Sequence, residues 1–125
     1  MAPCVLYIED NFDNLMLVRR VLQAAGFETV EATSAQEGIE LARQVIPDII
    51  LIDVNMPDMD GLVATNRLRQ IPALDAVPIV AVSANVMRDV QARTLDAGCD
   101  GFISKPIDVD RFPDQVLAYI RSRSS

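Results

Sequence analysis

Three carboxylates stand where two apolar runs stop. Cys4-Val5-Leu6-Tyr7-Ile8 leads into Glu9 and Asp10, and Ile49-Ile50-Leu51-Ile52 leads into Asp53. If both runs are buried neighbours in one parallel sheet, the three acids share a crevice. Acids at such range tolerate one another only when protonated or bridged by a cation. An oxygen-only donor set, without His or Cys, suits Mg²⁺, with Mn²⁺ as the alternative. Two more apolar runs end in complementary groups: Pro78–Val82 in Ser83 and Ala84, and Gly101–Ser104 in Lys105 and Pro106. A cation, three acids, a hydroxyl and an ammonium together make a receptacle for a phosphoryl group. Any one of these residues alone reads as an ordinary loop residue; the set on four strand ends is specific. The first loop, Glu9-Asp10-Asn11-Phe12-Asp13, lacks glycine and would repel phosphate, so it excludes a dinucleotide or flavin site.

Positioning those strand ends requires the alternation of strand and helix patterns that runs along the chain. Strands are expected at about Cys4–Glu9, Glu28–Ala32, Asp48–Asp53, Pro78–Val82 and Gly101–Ser104. The first helix has its core stripe on Leu17, Val18, Val21 and Leu22 and stops at Gly26. That phase sets Leu15 on the flank and Phe12 and Met16 nearly opposite. Ser34-Ala35-Gln36-Glu37 opens a second helix as a capping box. Later helices are expected over Leu62–Gln70, Val86–Ala97 and Asp110–Arg121, the last capped by Asp110 rather than Asp108 because Pro113 belongs in a first turn. Right-handed crossovers and two central apolar strands favour a five-stranded doubly wound α/β sheet of order 2-1-3-4-5. Its switch point lies between the first and third strands, where Glu9, Asp10 and Asp53 fall.

Composition bounds the rest. The 125 residues allow one domain, read as 1–122 with 123–125 as a disordered tail. Half are apolar, and 18 acids against 11 bases give a net charge of −7, which argues against non-specific nucleic-acid binding. Neither a membrane-spanning run nor a signal-peptide pattern is present, so a cytoplasmic setting is expected. Cys4 and Cys99, with no histidine anywhere, make neither a zinc site nor a disulfide framework, and read as buried free thiols.

Glu9-Asp10, Asp53 with Val54-Asn55-Met56-Pro57-Asp58-Met59-Asp60-Gly61, Ser83-Ala84 and Gly101-Phe102-Ile103-Ser104-Lys105-Pro106 resemble the signature of response-regulator receiver domains of two-component signalling. The match spans essentially the whole chain, in order and at the expected spacings, and resembles single-domain chemotaxis and cell-cycle regulators with the flavodoxin-like (βα)5 fold. The resemblance implies that Asp53 accepts a phosphoryl group from a phosphohistidine on a partner histidine kinase or histidine phosphotransferase. It implies Mg²⁺ on Asp10 and Asp53, on the backbone carbonyl of Asn55, and on Glu9 through a water. Ser83, Ala84 and Lys105 would meet the phosphoryl oxygens, and Lys105–Pro106 would be cis.

The resemblance also implies a switch in which Ser83 moves toward the phosphate and Phe102 turns inward, altering the fourth helix, fifth strand and fifth helix for a downstream protein target. Phe12, Leu15 and Met16 would offer an apolar docking surface beside the acids. Asn55 and Asn85, two places after Asp53 and Ser83, stand where the family tunes hydrolysis. Three alternatives share the pattern. A receiver excised from a hybrid kinase or transcription factor differs only in the length of its gene product. A haloacid-dehalogenase-type phosphatase would want an acid where Asn55 stands, and a phosphate-independent interaction module would not need the full set of site residues.

Overall fold

The computed structural model describes residues 2–54, 59–84 and 87–124, residues 123 and 124 by their backbone alone. Its elements are β1 (Cys4–Ile8), α1 (Phe12–Ala24), β2 (Glu28–Ala32), α2 (Ala35–Val45), β3 (Ile49–Asp53), α3 (Gly61–Arg69), a 3-10 turn (Pro72–Leu74), β4 (Ile79–Ser83), α4 (Arg88–Asp96), β5 (Gly101–Ser104) and α5 (Phe112–Ser124). The strands form one parallel sheet in the expected order β2-β1-β3-β4-β5.

Strand alternation divides the core into two layers. Leu6, Ile8, Ile50, Ile52, Ile79 and Ala81 face Ile39 and Ala42 of α2 and Ala64 and Leu68 of α3. Val5, Tyr7, Ile49, Leu51, Val80, Val82 and Ile103 face Leu15, Val18 and Leu22 of α1 and Phe112 and Val116 of α5. Both faces of β3 are therefore dry, which is why its run is apolar until Asp53. Gly26 ends α1 at φ +93°, where its N–H meets the Gln23 carbonyl and the next N–H, of Phe27, meets Leu22.

At the amino end of the sheet, Arg69 joins four segments. Its guanidinium donates to the carbonyls of Gly98 (2.8 Å), Leu74 (3.2 Å) and Val77 (2.8 Å) and to the Asp100 carboxylate. Asp100 in turn accepts the Ile79 N–H. At the far edge, the ring of Tyr119 from α5 fills the space where a side chain at position 101 would stand, and its hydroxyl accepts the Phe102 N–H (3.4 Å).

The structure corrects the sequence reading in three places. The buried stripe of α1 is Leu15, Val18 and Leu22, with Leu17 39% exposed, so Leu15 belongs to the core and not to a docking surface. Asp110 does not cap α5. Asp108 organises that turn, its carbonyl accepting the N–H groups of Arg111 and Phe112 and its carboxylate that of Asp110. The helix then runs to Ser124, so residues 123 and 124, expected as a disordered tail, are helical backbone. α4 starts at Arg88, later than the expected Val86, because Met87 is extended (φ −65°, ψ 147°) and stands at the cap position.

Cavity formation sets the expected cost of testing the first correction. Leu15→Ala should lower unfolding free energy by about 2–5 kcal/mol in urea denaturation. Phe12→Ala, at a side chain 68% exposed, should change it by less than about 0.5 kcal/mol.

Candidate phosphoryl and metal site

Glu9, Asp10, Asp53, Ser83, Ala84 and Lys105 lie at or just beyond strand ends, where three further main-chain bonds continue the ladder. Glu9 donates its N–H to the Ala32 carbonyl (2.9 Å), Val54 to Val82 (3.3 Å) and Lys105 to Ser83 (2.9 Å). Three strand ends are thus held in mutual register. The loop after Asp53 is closed by Gly61, whose N–H meets the Val54 carbonyl at 3.0 Å. A Cβ at Gly61 would stand 2.7 Å from the Asp53 carbonyl and the Val54 Cα, so only glycine allows that approach. Asp60 caps α3 through Leu62 N–H, and Thr65 donates to the Gly61 carbonyl from below.

These devices bring the three acids together. Glu9 and Asp53 are buried and Asp10 is exposed, and carboxylate oxygens of all three lie within 4.8 Å of one another. Lys105 spans the buried pair, with Nζ 2.7 Å from Glu9 Oε1 and 3.3 Å from Asp53 Oδ2. Burial would push the Glu9 carboxyl up. The hydrogen bonds from Lys105 and Asn14 and the lysine charge outweigh that and hold it below the usual carboxylate range. Burial would likewise push Lys105 down, but its hydrogen bond to Glu9 and the charges of Asp53 and Glu9 keep it above its ordinary value. Acid and ammonium therefore stabilise each other as ions.

Ser83 is buried at the end of β4, Ala84 is exposed beyond it, and Lys105–Pro106 is cis. Phe102 is half-buried against the α2 and α3 layer. Phe12 is exposed and Met16 half-buried, both on α1. Asn55 and Asn85 lie outside the described residues.

Two participants escaped the sequence reading. Tyr7 donates its hydroxyl to Glu9 Oε1 (3.1 Å), and Asn14 donates its side-chain amide to the same oxygen (2.9 Å). Tyr7 shares the face of Glu9 by strand alternation, a signal that was present but hidden by its role in an apolar run. The other Glu9 oxygen, Oε2, is buried without a hydrogen-bond partner among the described residues. A buried, ionised oxygen left bare is costly unless a cation meets it. The donor set is all oxygen and carries charge to spare, so these residues fit a hard divalent cation such as Mg²⁺.

Architecture and site together place the molecule among CheY-like, flavodoxin-type α/β domains. Residues 5–117 match the response regulator receiver domain, and the chain belongs to that family of two-component signalling modules. It is 38% identical over 120 residues to the polar-differentiation response regulator DivK of Brucella ovis, covering 96% of this chain and 98% of that protein. Among solved structures it resembles the chemotaxis protein CheY4 of Vibrio cholerae, with a TM-score of 0.91 at 24% identity over 95% of this chain and 99% of that one. It also resembles the signal receiver domain of a signal transduction histidine kinase from Syntrophus aciditrophicus, with a TM-score of 0.87 at 26% identity over 97% of this chain and 92% of that one.

Removing the bridging lysine should expose the repulsion it contains. Lys105→Met should lose about 3 kcal/mol of stability in cation-free buffer, as expected when one partner of a largely buried ion pair is deleted. Adding Asp53→Asn to that variant should recover part of the loss. Urea unfolding of the two variants side by side checks both outcomes.

Proposed function

We propose that the chain is a phosphoacceptor switch in which Asp53 takes a phosphoryl group from a phosphohistidine on a partner histidine kinase or histidine phosphotransferase. The observation that carries this reading is the buried carboxylate of Asp53, held 3.3 Å from the Lys105 ammonium and clustered with Glu9 and Asp10. Asp53 supplies the attacking oxygen. A P–O bond forms as the P–N bond to the donor imidazole breaks, and the released nitrogen keeps that electron pair. Lys105 neutralises oxygens of the moving group, and Ser83 and the backbone beside Ala84 donate hydrogen bonds to them.

Asp10 and Asp53, the Asn55 carbonyl, and Glu9 through a water would hold Mg²⁺, which would supply positive charge to offset repulsion between carboxylate and phosphoryl oxygens. Mn²⁺ meets the same requirement. The chain's own contribution is position: its strand ends hold nucleophile, lysine and hydroxyl in one crevice before the donor arrives. No histidine stands among these 125 residues, so the phosphohistidine of the donor lies outside them.

Phosphorylation adds roughly −1.5 to −2 charges at one strand end. That charge draws Ser83 and Lys105 toward the phosphoryl oxygens, Phe102 follows inward, and the α4-β5-α5 surface changes for a downstream protein. Exposed Phe12 and neighbouring Met16 form the donor's docking surface in this reading. Similarity to regulators named DivK, matched over 98% of their length, supports reading the chain as a response regulator.

Beryllofluoride with Mg²⁺ should form a stable adduct with the full chain, visible by fluorine NMR, and Asp53→Asn should abolish it. Transfer of labelled phosphate from a phosphorylated histidine phosphotransferase should fall by at least about 100-fold in Asp53→Asn, since the nucleophile is gone. Labelling that survives this substitution would sink the assignment of Asp53.

A further inference from the structure

Glu9 is tied far more closely than a carboxylate acting through a distant water requires. Its Oε1 collects Lys105 Nζ at 2.7 Å, the Asn14 amide at 2.9 Å and the Tyr7 hydroxyl at 3.1 Å, while Oε2 collects none among the described residues. The whole side chain is 0% exposed. Three donors on one oxygen fix the rotation of the carboxylate group. A carboxylate free to turn would share its donors between both oxygens.

We propose that Tyr7 and Asn14 are positioning residues: a clamp that saturates Glu9 Oε1 and so presents Oε2 to the divalent cation. This deepens the phosphoacceptor reading and rests on it for the presence of that cation.

Each arm of the clamp is itself held in place. Tyr7 lies on β1, buried between Val5 and Glu9 on the same strand face. Its surroundings, burial first and then the Glu9 charge and hydrogen bond, push its phenol well up, so it stays a neutral donor. Asn14 lies in the first turn of α1, where its backbone N–H meets the Asn11 cap at 3.0 Å while its side chain reaches back to Glu9. A cap and a clamp thus share one residue.

The clamp also explains how Lys105 can serve two masters. The lysine divides itself between Glu9 and Asp53, and a phosphoryl group on Asp53 competes for it. Tyr7 and Asn14 still hold Glu9 when Lys105 turns away, so the cation ligand keeps its aim through the phosphorylation cycle. Outer donors of this kind orient metal ligands generally, and losing one typically costs 10–100-fold in affinity.

The test is calorimetric titration of the full chain with Mg²⁺ and with Ca²⁺, comparing wild type, Tyr7→Phe, Asn14→Ala and the double variant. Tyr119→Phe serves as a hydroxyl-deletion control outside the site. Tyr7→Phe and Asn14→Ala should each weaken Mg²⁺ binding about 10-fold. Ca²⁺ should lose less, because its coordination tolerates looser ligand geometry. Tyr119→Phe should bind both ions as wild type does, and urea unfolding in cation-free buffer reports whether each variant keeps its fold.

Wild-type Mg²⁺ affinity in Tyr7→Phe and Asn14→Ala would overturn the clamp while leaving the metal site intact. Equal losses for both ions that merely track lowered stability would also overturn it, assigning the two residues to packing. A wild-type chain that binds no Mg²⁺ at all removes the cation reading and the clamp together, a failure recognisable before any variant is made.

Discussion

The Lys105 ammonium between Glu9 and Asp53 is the interaction on which the arrangement depends. A doubly wound sheet brings the ends of β1 and β3 side by side whatever residues stand there, and here both ends are acidic. Two buried carboxylates in contact would each resist ionisation, and the cost would fall on folding itself. A lysine from the far edge of the sheet crosses to meet them because β4 and β5 place its backbone one residue beyond Ser104. The resulting site is charged, buried at Glu9 and Asp53, and held in register by main-chain bonds.

That economy has a corollary for the rest of the chain. The central strands are apolar on both faces, so their positions are fixed by packing against four helices and do not depend on the site's electrostatics. At the opposite end, Arg69 performs the comparable task of joining segments distant in sequence, using three carbonyls and the Asp100 carboxylate. Each end of the sheet is thus stitched by one cationic side chain, Arg69 at the amino end and Lys105 at the carboxyl end.

Much of this was legible in the residues. The strand order follows from two fully apolar runs plus crossover handedness, and the site follows from what terminates each run. The misplaced details have physical causes. In α1, Phe12, Leu15, Met16, Leu17, Val18, Val21 and Leu22 are apolar nearly all round, so periodicity defines no unique phase. Packing against β1 and α5 chooses Leu15 over Leu17. Asp108 and Asp110 are both credible caps by type, and only the path of the turn distinguishes them. Tyr7, Asn14 and Arg69 act through partners reached in three dimensions, which spacing alone does not reveal. Family membership, in turn, removes the dehalogenase-type phosphatase from consideration.

The placement of Tyr119 over Gly101 bears on how the molecule keeps to itself in a crowded solution. A sheet margin with unsatisfied amides is a template onto which foreign β-segments can grow. The short strand β5 is such a margin, and α5 lays a phenol across it that occupies the Phe102 amide. The side-chainless neighbour gives the ring somewhere to lie flat. The phenol thereby denies an incoming β-segment one amide of that margin.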